Sequence, residues 1–131
     1  PSPNLGICYD PSHFARLQID HVRLLHEFGD RVKHVHLKDT EVIPEKLYES
    51  GILGESYDRT YGFGEGWWRY TIPGEGMVDW QVVIRRLEEI GYDGVLSVEL
   101  EDHHFWATPD LQKEGLLRSR DYIAQFLKDE N

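Results

Sequence analysis

Three residues of metal-ligating type lie at or near the ends of three short apolar segments of the sequence. Asp10 ends the first segment, and His36 and Glu99 lie close to the ends of the second and third. Carboxylate oxygens and an imidazole nitrogen together form a ligand set that suits Mn²⁺, Mg²⁺, Co²⁺ or Zn²⁺. A bound divalent ion polarises substrate oxygens and stabilises the negative charge that develops on them. The residue types therefore indicate a metal site, provided that the fold brings the three side chains together.

Each of these residues lies in a predicted strand, and alternation along the strand decides which way it faces. The strands run from Leu5 to Asp10, from Val32 to Lys38 and from Val95 to Glu101. Successive side chains of a strand point to opposite faces. In each strand one face carries large apolar side chains and the other carries small or polar ones. Asp10, His36 and Glu99 all fall on the polar face, so helices that cover the apolar face leave them on a shared surface.

Each of the three residues also has a purely structural explanation. Asp10 can cap the helix that follows it, His36 can be a hydrogen-bonded core histidine, and Glu99 can be a salt-bridge partner. However, burying two carboxylates and an imidazole without compensation costs several kcal/mol. A divalent cation removes that cost, so the joint pattern favours the metal site.

Helical patterns separate the strands and predict an α/β fold with parallel strands. Three helices carry apolar positions at helical spacing: Ile19, Val22, Leu25 and Phe28; Trp80, Val83, Ile84, Leu87 and Ile90; and Leu116, Ile123 and Leu127. Residues 39–78 are the exception and are predicted as a long loop with one short helix near Pro44 to Glu49. Loops of this length usually bind a ligand or cover a site. Trp67 and Trp68 are expected either to pack within this loop or to cover a substrate.

Composition excludes several other classes of protein. The 131 residues suit a single domain. Asp and Glu number 24 against 14 Lys and Arg, and this net charge of -10 disfavours a nucleic-acid partner. No apolar run approaches the ~20 residues that cross a membrane. The single cysteine, Cys8, excludes an internal disulfide and a cysteine-based zinc module, and we expect a cytoplasmic protein.

Four motifs occur in order along the chain and resemble one family. They are Tyr9-Asp10-Pro11-Ser12-His13, the stretch HVHLKDTE at 34–41, the stretch PGEGMVDW at 73–80 and the stretch GYDGVLSVELED at 91–102. Together they resemble the C-terminal part of the sugar phosphate isomerases/epimerases of the xylose isomerase-like TIM-barrel superfamily (AP endonuclease family 2). This superfamily includes ketose 3-epimerases, inosose dehydratases and metal-dependent AP endonucleases. A full barrel needs roughly 250 residues, so the resemblance implies the C-terminal half of a (β/α)₈ barrel over residues 1–131.

The resemblance also implies the roles of the site residues. Asp10, His36 and Glu99 are expected to hold the divalent metal, preferably Mn²⁺. Glu99 is expected to be catalytic as well, moving a proton beside the carbonyl of a sugar or sugar phosphate through an enediolate. His13 resembles the histidine that binds substrate in the epimerases or a second metal in the endonucleases.

Two basic residues are further candidates for binding a sugar oxygen or a phosphate. Lys38 shares its strand face with His36, and Arg69 lies in the predicted loop. The alternative for both is a solvated surface charge.

Other functions remain open at this point. A dehydratase of a cyclic polyol would use the same ligands. An AP endonuclease is disfavoured because residues 68–72 lack the Asp-x-His pair of that group. The family's first metal-binding Glu has no counterpart here, which leaves a non-catalytic half-barrel that associates with itself or a partner. Half a barrel also leaves unpaired strand edges, so we expect a homo-oligomer and no activity from this chain alone.

Overall fold

The computed structural model describes residues 2, 4–52 and 63–127, which form strands and helices in alternation. The elements are β1 (Ile7–Tyr9), α1 (Pro11–Arg16), α2 (His21–Phe28), β2 (Val32–Leu37), β3 (Asp39–Val42), α3 (Pro44–Ser50), β4 (Gly64–Glu65), β5 (Trp68–Thr71), α4 (Trp80–Glu89), β6 (Leu96–Val98) and α5 (Pro109–Ala124). None of the helices in this part of the chain is both long and apolar enough to cross a membrane.

The main sheet consists of three parallel strands in the order β1-β2-β6. Val35 in β2 is paired with Tyr9 on one side and with Leu96 on the other. Helices follow β1 and β6 and precede β2 and β6, which is the alternation of a β/α barrel. The prediction of an α/β fold with parallel strands is confirmed.

The apolar face of this sheet packs against the helices. Tyr9 and Val35 are completely buried, and they share one core cluster with Val83 and Leu87 of α4. On the opposite face Cys8 is exposed. The alternation read from the sequence therefore assigns the two faces of β1 and β2 correctly.

The segment 39–78 contains more regular structure than the predicted long loop. Helix α3 confirms the short helix, but β3, β5 and β4 also form a second, antiparallel sheet. Its strands have four, four and two residues, which is too short for alternation to be recognised. Trp67 and Trp68 are buried in an aromatic cluster with Tyr70, so they pack within this segment. Residues 53–62 lie outside the described residues.

Two helices bury different residues from those predicted. Leu25 of α2 and Ile123 of α5 are buried as expected. By contrast, Ile19, Phe28, Leu116 and Leu127 are between 43% and 50% exposed. In α5 the buried positions include Gly115 and Ser119, and a Cβ on Gly115 would lie 2.8 Å from Phe105 Cβ. Helix α5 thus packs closely through small residues, which an apolar pattern does not reveal.

Candidate metal and substrate site

The structure brings Asp10, His36 and Glu99 together at the carboxyl ends of the three parallel strands. Each offers one ligand atom, and the three atoms lie within 4.8 Å of one another. His36 Nδ1 lies 3.3 Å from Asp10 Oδ2 and 3.1 Å from Glu99 Oε2. Asp10 directly follows β1, His36 is the last but one residue of β2, and Glu99 directly follows β6. The parallel register of the strands therefore creates the cluster.

Asp10 uses its two carboxylate oxygens differently. Oδ1 accepts hydrogen bonds from the Ser12 backbone N–H at 3.0 Å and from Ser12 Oγ at 2.6 Å, which caps α1. Oδ2 faces His36. Helix capping and a place in the site are thus compatible, because each uses a different oxygen.

Lys38 lies inside this cluster with a side chain that is only 2% exposed. Its Nζ is 2.5 Å from Glu99 Oε2, 2.8 Å from Glu101 Oε2 and 3.3 Å from Asp10 Oδ2. The ammonium also lies 4.5 Å from the centre of the Tyr70 ring. Burial alone would lower the pKa of Lys38, but hydrogen bonds to Glu101 and Glu99 outweigh it and raise the pKa. Lys38 is therefore a buried, charged ammonium and not a solvated surface charge.

His13 lies at the edge of the cluster with a side chain that is 47% exposed. Its Nε2 is 3.5 Å from Asp10 Oδ2, and its Nδ1 is 2.7 Å from the Tyr70 hydroxyl. Because a carboxylate only accepts hydrogen bonds, this arrangement favours the proton on Nε2 and a Tyr70 hydroxyl that donates to Nδ1. Burial raises the pKa of Tyr70, which keeps this hydroxyl protonated. Tyr70 was missed from sequence because its strand belongs to the second sheet.

Arg69, the other basic candidate for substrate binding, lies with Glu41 and Asp102 and not among the ligand atoms of the cluster. Its guanidinium contacts Glu41 Oε2 at 2.5 Å and Asp102 Oδ1 at 3.2 Å. It also lies 3.3 Å from His104 Nδ1. Arg69 and Tyr70 are adjacent in β5, so their side chains leave the strand on opposite faces. These contacts tie Arg69 to the segment that follows β6.

A second group of potential ligands consists of Glu75, Asp102 and His104, whose ligand atoms also lie within 4.8 Å of one another. The completely buried Asp102 already accepts hydrogen bonds from Arg69, from the Ile72 backbone N–H and from the His104 backbone N–H. Because a guanidinium lies against both Asp102 and His104, this group already has its cation.

Asp39 is a buried carboxylate that sequence reasoning did not single out. Its two oxygens accept hydrogen bonds from the backbone N–H groups of Thr40, Gly74 and Val78 and from Trp80 Nε1. Burial raises the pKa of Asp39, although these four hydrogen bonds oppose that effect. A Cβ on Gly76 would overlap Asp39 Oδ1. Asp39 thus organises the Pro-Gly-Glu-Gly turn beside the site.

The donor set of the main cluster fits a divalent cation. Two carboxylates and one imidazole suit the hard to borderline ions Mn²⁺, Mg²⁺, Co²⁺ and Zn²⁺. Asp10 Oδ2 and Glu99 Oε2 both lie against one ring nitrogen of His36. Three protein ligands leave coordination positions for substrate oxygens, which is the arrangement of a catalytic metal site.

The fold and the four motifs agree with a sequence profile described as "Xylose isomerase-like TIM barrel", which matches residues 1–122. The chain belongs to this family. A solved structure, the xylose isomerase domain protein from Planctomyces limnophilus, is similar with a TM-score of 0.71 and 26% identity. The similarity covers 96% of this chain and 39% of that chain. The prediction of a partial xylose isomerase-like TIM barrel is confirmed.

Curated relatives give a narrower comparison. Inosose dehydratase from Geobacillus thermodenitrificans is 30% identical over 122 residues, or 92% of this chain and 38% of that protein. Inosose dehydratase from Clostridium beijerinckii is 29% identical over 120 residues, or 91% of this chain and 37% of that protein. The chain spans about two fifths of the length of these relatives.

Proposed function

We propose that this chain supplies part of the active site of a divalent-metal-dependent enzyme that acts on a carbohydrate. The observation that carries the proposal is the convergence of ligand atoms from Asp10, His36 and Glu99 within 4.8 Å. These residues would hold the cation, with Mn²⁺ as the preferred ion. The substrate is a small molecule with several hydroxyl groups and a carbonyl, for which the open coordination positions are suited.

The chemistry proposed for this site begins with proton removal beside the substrate carbonyl. When bound, the cation supplies Lewis-acid polarisation of the substrate oxygens. Glu99 accepts the proton as general base, and its side chain is 37% exposed, so a substrate can reach it. His13, held by Tyr70 and 47% exposed, offers Nε2 to a substrate hydroxyl.

Dehydration of a cyclic polyol that carries a carbonyl is the reaction we propose first. The relatives described above are inosose dehydratases at 29% and 30% identity, which favours loss of water from the deprotonated substrate. After Glu99 removes the proton, the C–O bond on the next carbon breaks and a carbon–carbon double bond forms. The departing hydroxyl takes up the proton that Glu99 accepted, directly or through a water molecule, and leaves as water. In the isomerase or epimerase that the motifs first suggested, a proton returns to carbon instead. The resemblance to a xylose isomerase domain protein keeps this as the second candidate.

An activity measurement tests the proposal. The protein used is this chain together with any residues that precede it in its reading frame. We expect Mn²⁺-dependent loss of water from inososes. The ultraviolet absorbance of the product measures this reaction. Glu99→Gln should abolish turnover while the fold persists, because the amide keeps the shape and removes the base. Glu89→Gln is the matched control, since Glu89 is a 52% exposed side chain on α4. Turnover without metal, or wild-type turnover by Glu99→Gln, would contradict the proposal. Conversion of ketoses or their phosphates with no dehydration would favour the second candidate.

A further inference from the structure

Lys38 contacts the same carboxylate oxygens that the proposed metal site uses. Glu99 Oε2 lies 3.1 Å from His36 Nδ1 and 2.5 Å from Lys38 Nζ. Asp10 Oδ2 lies 3.3 Å from each of these two nitrogens. The Lys38 ammonium therefore stands where a cation shared by Asp10 and Glu99 would stand.

Because the Lys38 ammonium is buried, it needs another hydrogen-bond acceptor inside the protein if it leaves Asp10 and Glu99. Such an acceptor lies within reach. Glu101 Oε2 lies 2.8 Å from Nζ and is not one of the three clustered ligand atoms. The face of the Tyr70 ring, 4.5 Å from Nζ, is a second favourable surface for the charge. Lys38 can thus give up Asp10 and Glu99 while it stays buried beside Glu101.

The charges of the group support such an exchange. Asp10, Glu99 and Glu101 together carry three negative charges, and Lys38 carries one positive charge. A divalent ion therefore brings the group to neutrality only if Glu101 is counted with the two carboxylate ligands. Among the described residues, Lys38 is the lysine that lies against all three of these carboxylates.

We propose that Lys38 is an internal counter-ion of the metal site, which neutralises Asp10 and Glu99 in the metal-free protein and pairs with Glu101 when a divalent cation binds. Lys38 and Glu101 then set the metal affinity as a pair, although neither is a ligand. This inference rests on the metal site in the proposed function.

Mn²⁺ binding to the 131-residue chain, measured by calorimetry, tests the inference with three variants. Lys38→Met removes the competing charge at nearly constant volume and should tighten Mn²⁺ binding by about tenfold or more. Glu101→Gln leaves Lys38 with Asp10 and Glu99 as its charged partners and should weaken binding several-fold. In the double variant the effect of Glu101→Gln should largely disappear, because it acts through Lys38. Lys33→Met is the matched control, since Lys33 is an exposed lysine on β2, the strand that Lys38 directly follows.

Thermal unfolding gives a readout that does not depend on binding curves. Without metal, Lys38→Met should unfold at a lower temperature than the wild type, because it leaves three carboxylates without their cation. Added Mn²⁺ should raise its unfolding temperature by more than it raises that of the wild type. If Lys38→Met does not fold, NMR of ¹³Cε-labelled lysine in the wild type replaces it. The Lys38 signal should then move saturably as Mg²⁺ is added, while the exposed lysine Lys113 does not respond.

The outcomes separate the inference from the proposed function. No Mn²⁺ binding by either the wild type or Lys38→Met would overturn the metal site and the inference with it. Equal Mn²⁺ affinities for these two proteins would overturn the inference alone. If Glu101→Gln lowers the Mn²⁺ affinity equally in the wild type and in Lys38→Met, the inference is also overturned. The charge of Glu101 would then act on the metal directly and not through Lys38. A Lys38 signal that stays fixed while Mg²⁺ binds would overturn the inference as well.

Discussion

Asp10 divides its two carboxylate oxygens between the fold and the site. Oδ1 is held by two hydrogen bonds from Ser12, and this leaves Oδ2 aimed at His36 and Lys38. The cap also fixes the orientation of the whole carboxylate, because the group is planar. A ligand oriented in this way loses little conformational freedom when a cation binds. The structural and the functional explanation of Asp10 therefore support each other.

Two substitutions at Asp10 separate these roles. Asp10→Asn keeps an oxygen for the cap of α1 and removes the charge, whereas Asp10→Ala removes both. We expect both variants to lose Mn²⁺ binding. Loss of an N-cap costs about 0.5–2 kcal/mol, so Asp10→Ala should be less stable than Asp10→Asn by this amount. Urea unfolding and calorimetry measure the two effects. Wild-type Mn²⁺ affinity in Asp10→Asn would remove Asp10 from the proposed site.

The element that completes the site is the second sheet, and two buried carboxylates hold the chain where it leaves β5. Asp39, at the start of β3, binds the turn that follows β5 through Gly74 and Val78. Asp102, after β6, binds the end of β5 through the Ile72 backbone N–H. Tyr70, which contacts His13, lies in β5 two residues before the attachment at Ile72. The position of the Tyr70 hydroxyl thus depends on carboxylates that do not touch it.

We expect Asp39→Asn to destabilise the fold by about 1–3 kcal/mol. Both oxygens of Asp39 face N–H donors, so either orientation of an amide places its NH₂ group against donors. Asp20→Asn is the matched control, because Asp20 caps α2 at an exposed site through one oxygen and Asn is an equally good N-cap. The free energy of unfolding in urea measures the difference. Equal stability of the two variants would show that Asp39 does not hold the turn.

The sequence predicts the strands of the main sheet better than the second sheet for a physical reason. Alternation within β1 and β2 is a local property, and the types of Asp10, His36 and Glu99 identify a ligand set before any contact is known. The pairing of β3 with β5 joins residues separated by a long segment, as in the pair of Val42 with Trp68. No local pattern encodes such a pairing, so Tyr70, Asp39 and Asp102 could not be assigned from the sequence.

At the scale of the whole molecule, β1 and β6 are the edges of the main sheet and each has one neighbour within it. Leu5, just before β1, is 67% exposed and Val95, just before β6, is 64% exposed. Unpaired strand edges beside exposed apolar side chains favour association with another chain. These edges motivate the predicted homo-oligomer.

We expect the 131-residue chain to be a dimer or larger at micromolar concentration, as measured by light scattering after size-exclusion chromatography. Leu5→Lys combined with Val95→Lys should shift it toward the monomer, because lysine at a sheet edge opposes pairing. Tyr48→Lys is the control, since Tyr48 is 92% exposed on α3, away from both edges. A monomeric wild type, or a double variant with unchanged mass, would contradict this role of the edges.

The same 131 residues should bind metal yet show no isomerase, epimerase or dehydratase activity. Transfer of a proton between the two faces of a sugar needs a second carboxylate opposite Glu99. Among the described residues, Glu101 is held by Lys38 beside Glu99, and Glu75 lies with Asp102 and His104. A missing general acid or base costs about 10²–10⁴-fold in rate, and the loss of substrate positioning adds to this. Turnover should therefore appear only when the chain is combined with the rest of a barrel, such as any residues that precede it in its reading frame. Robust metal-dependent turnover by the 131 residues alone would show that they contain both acid/base groups.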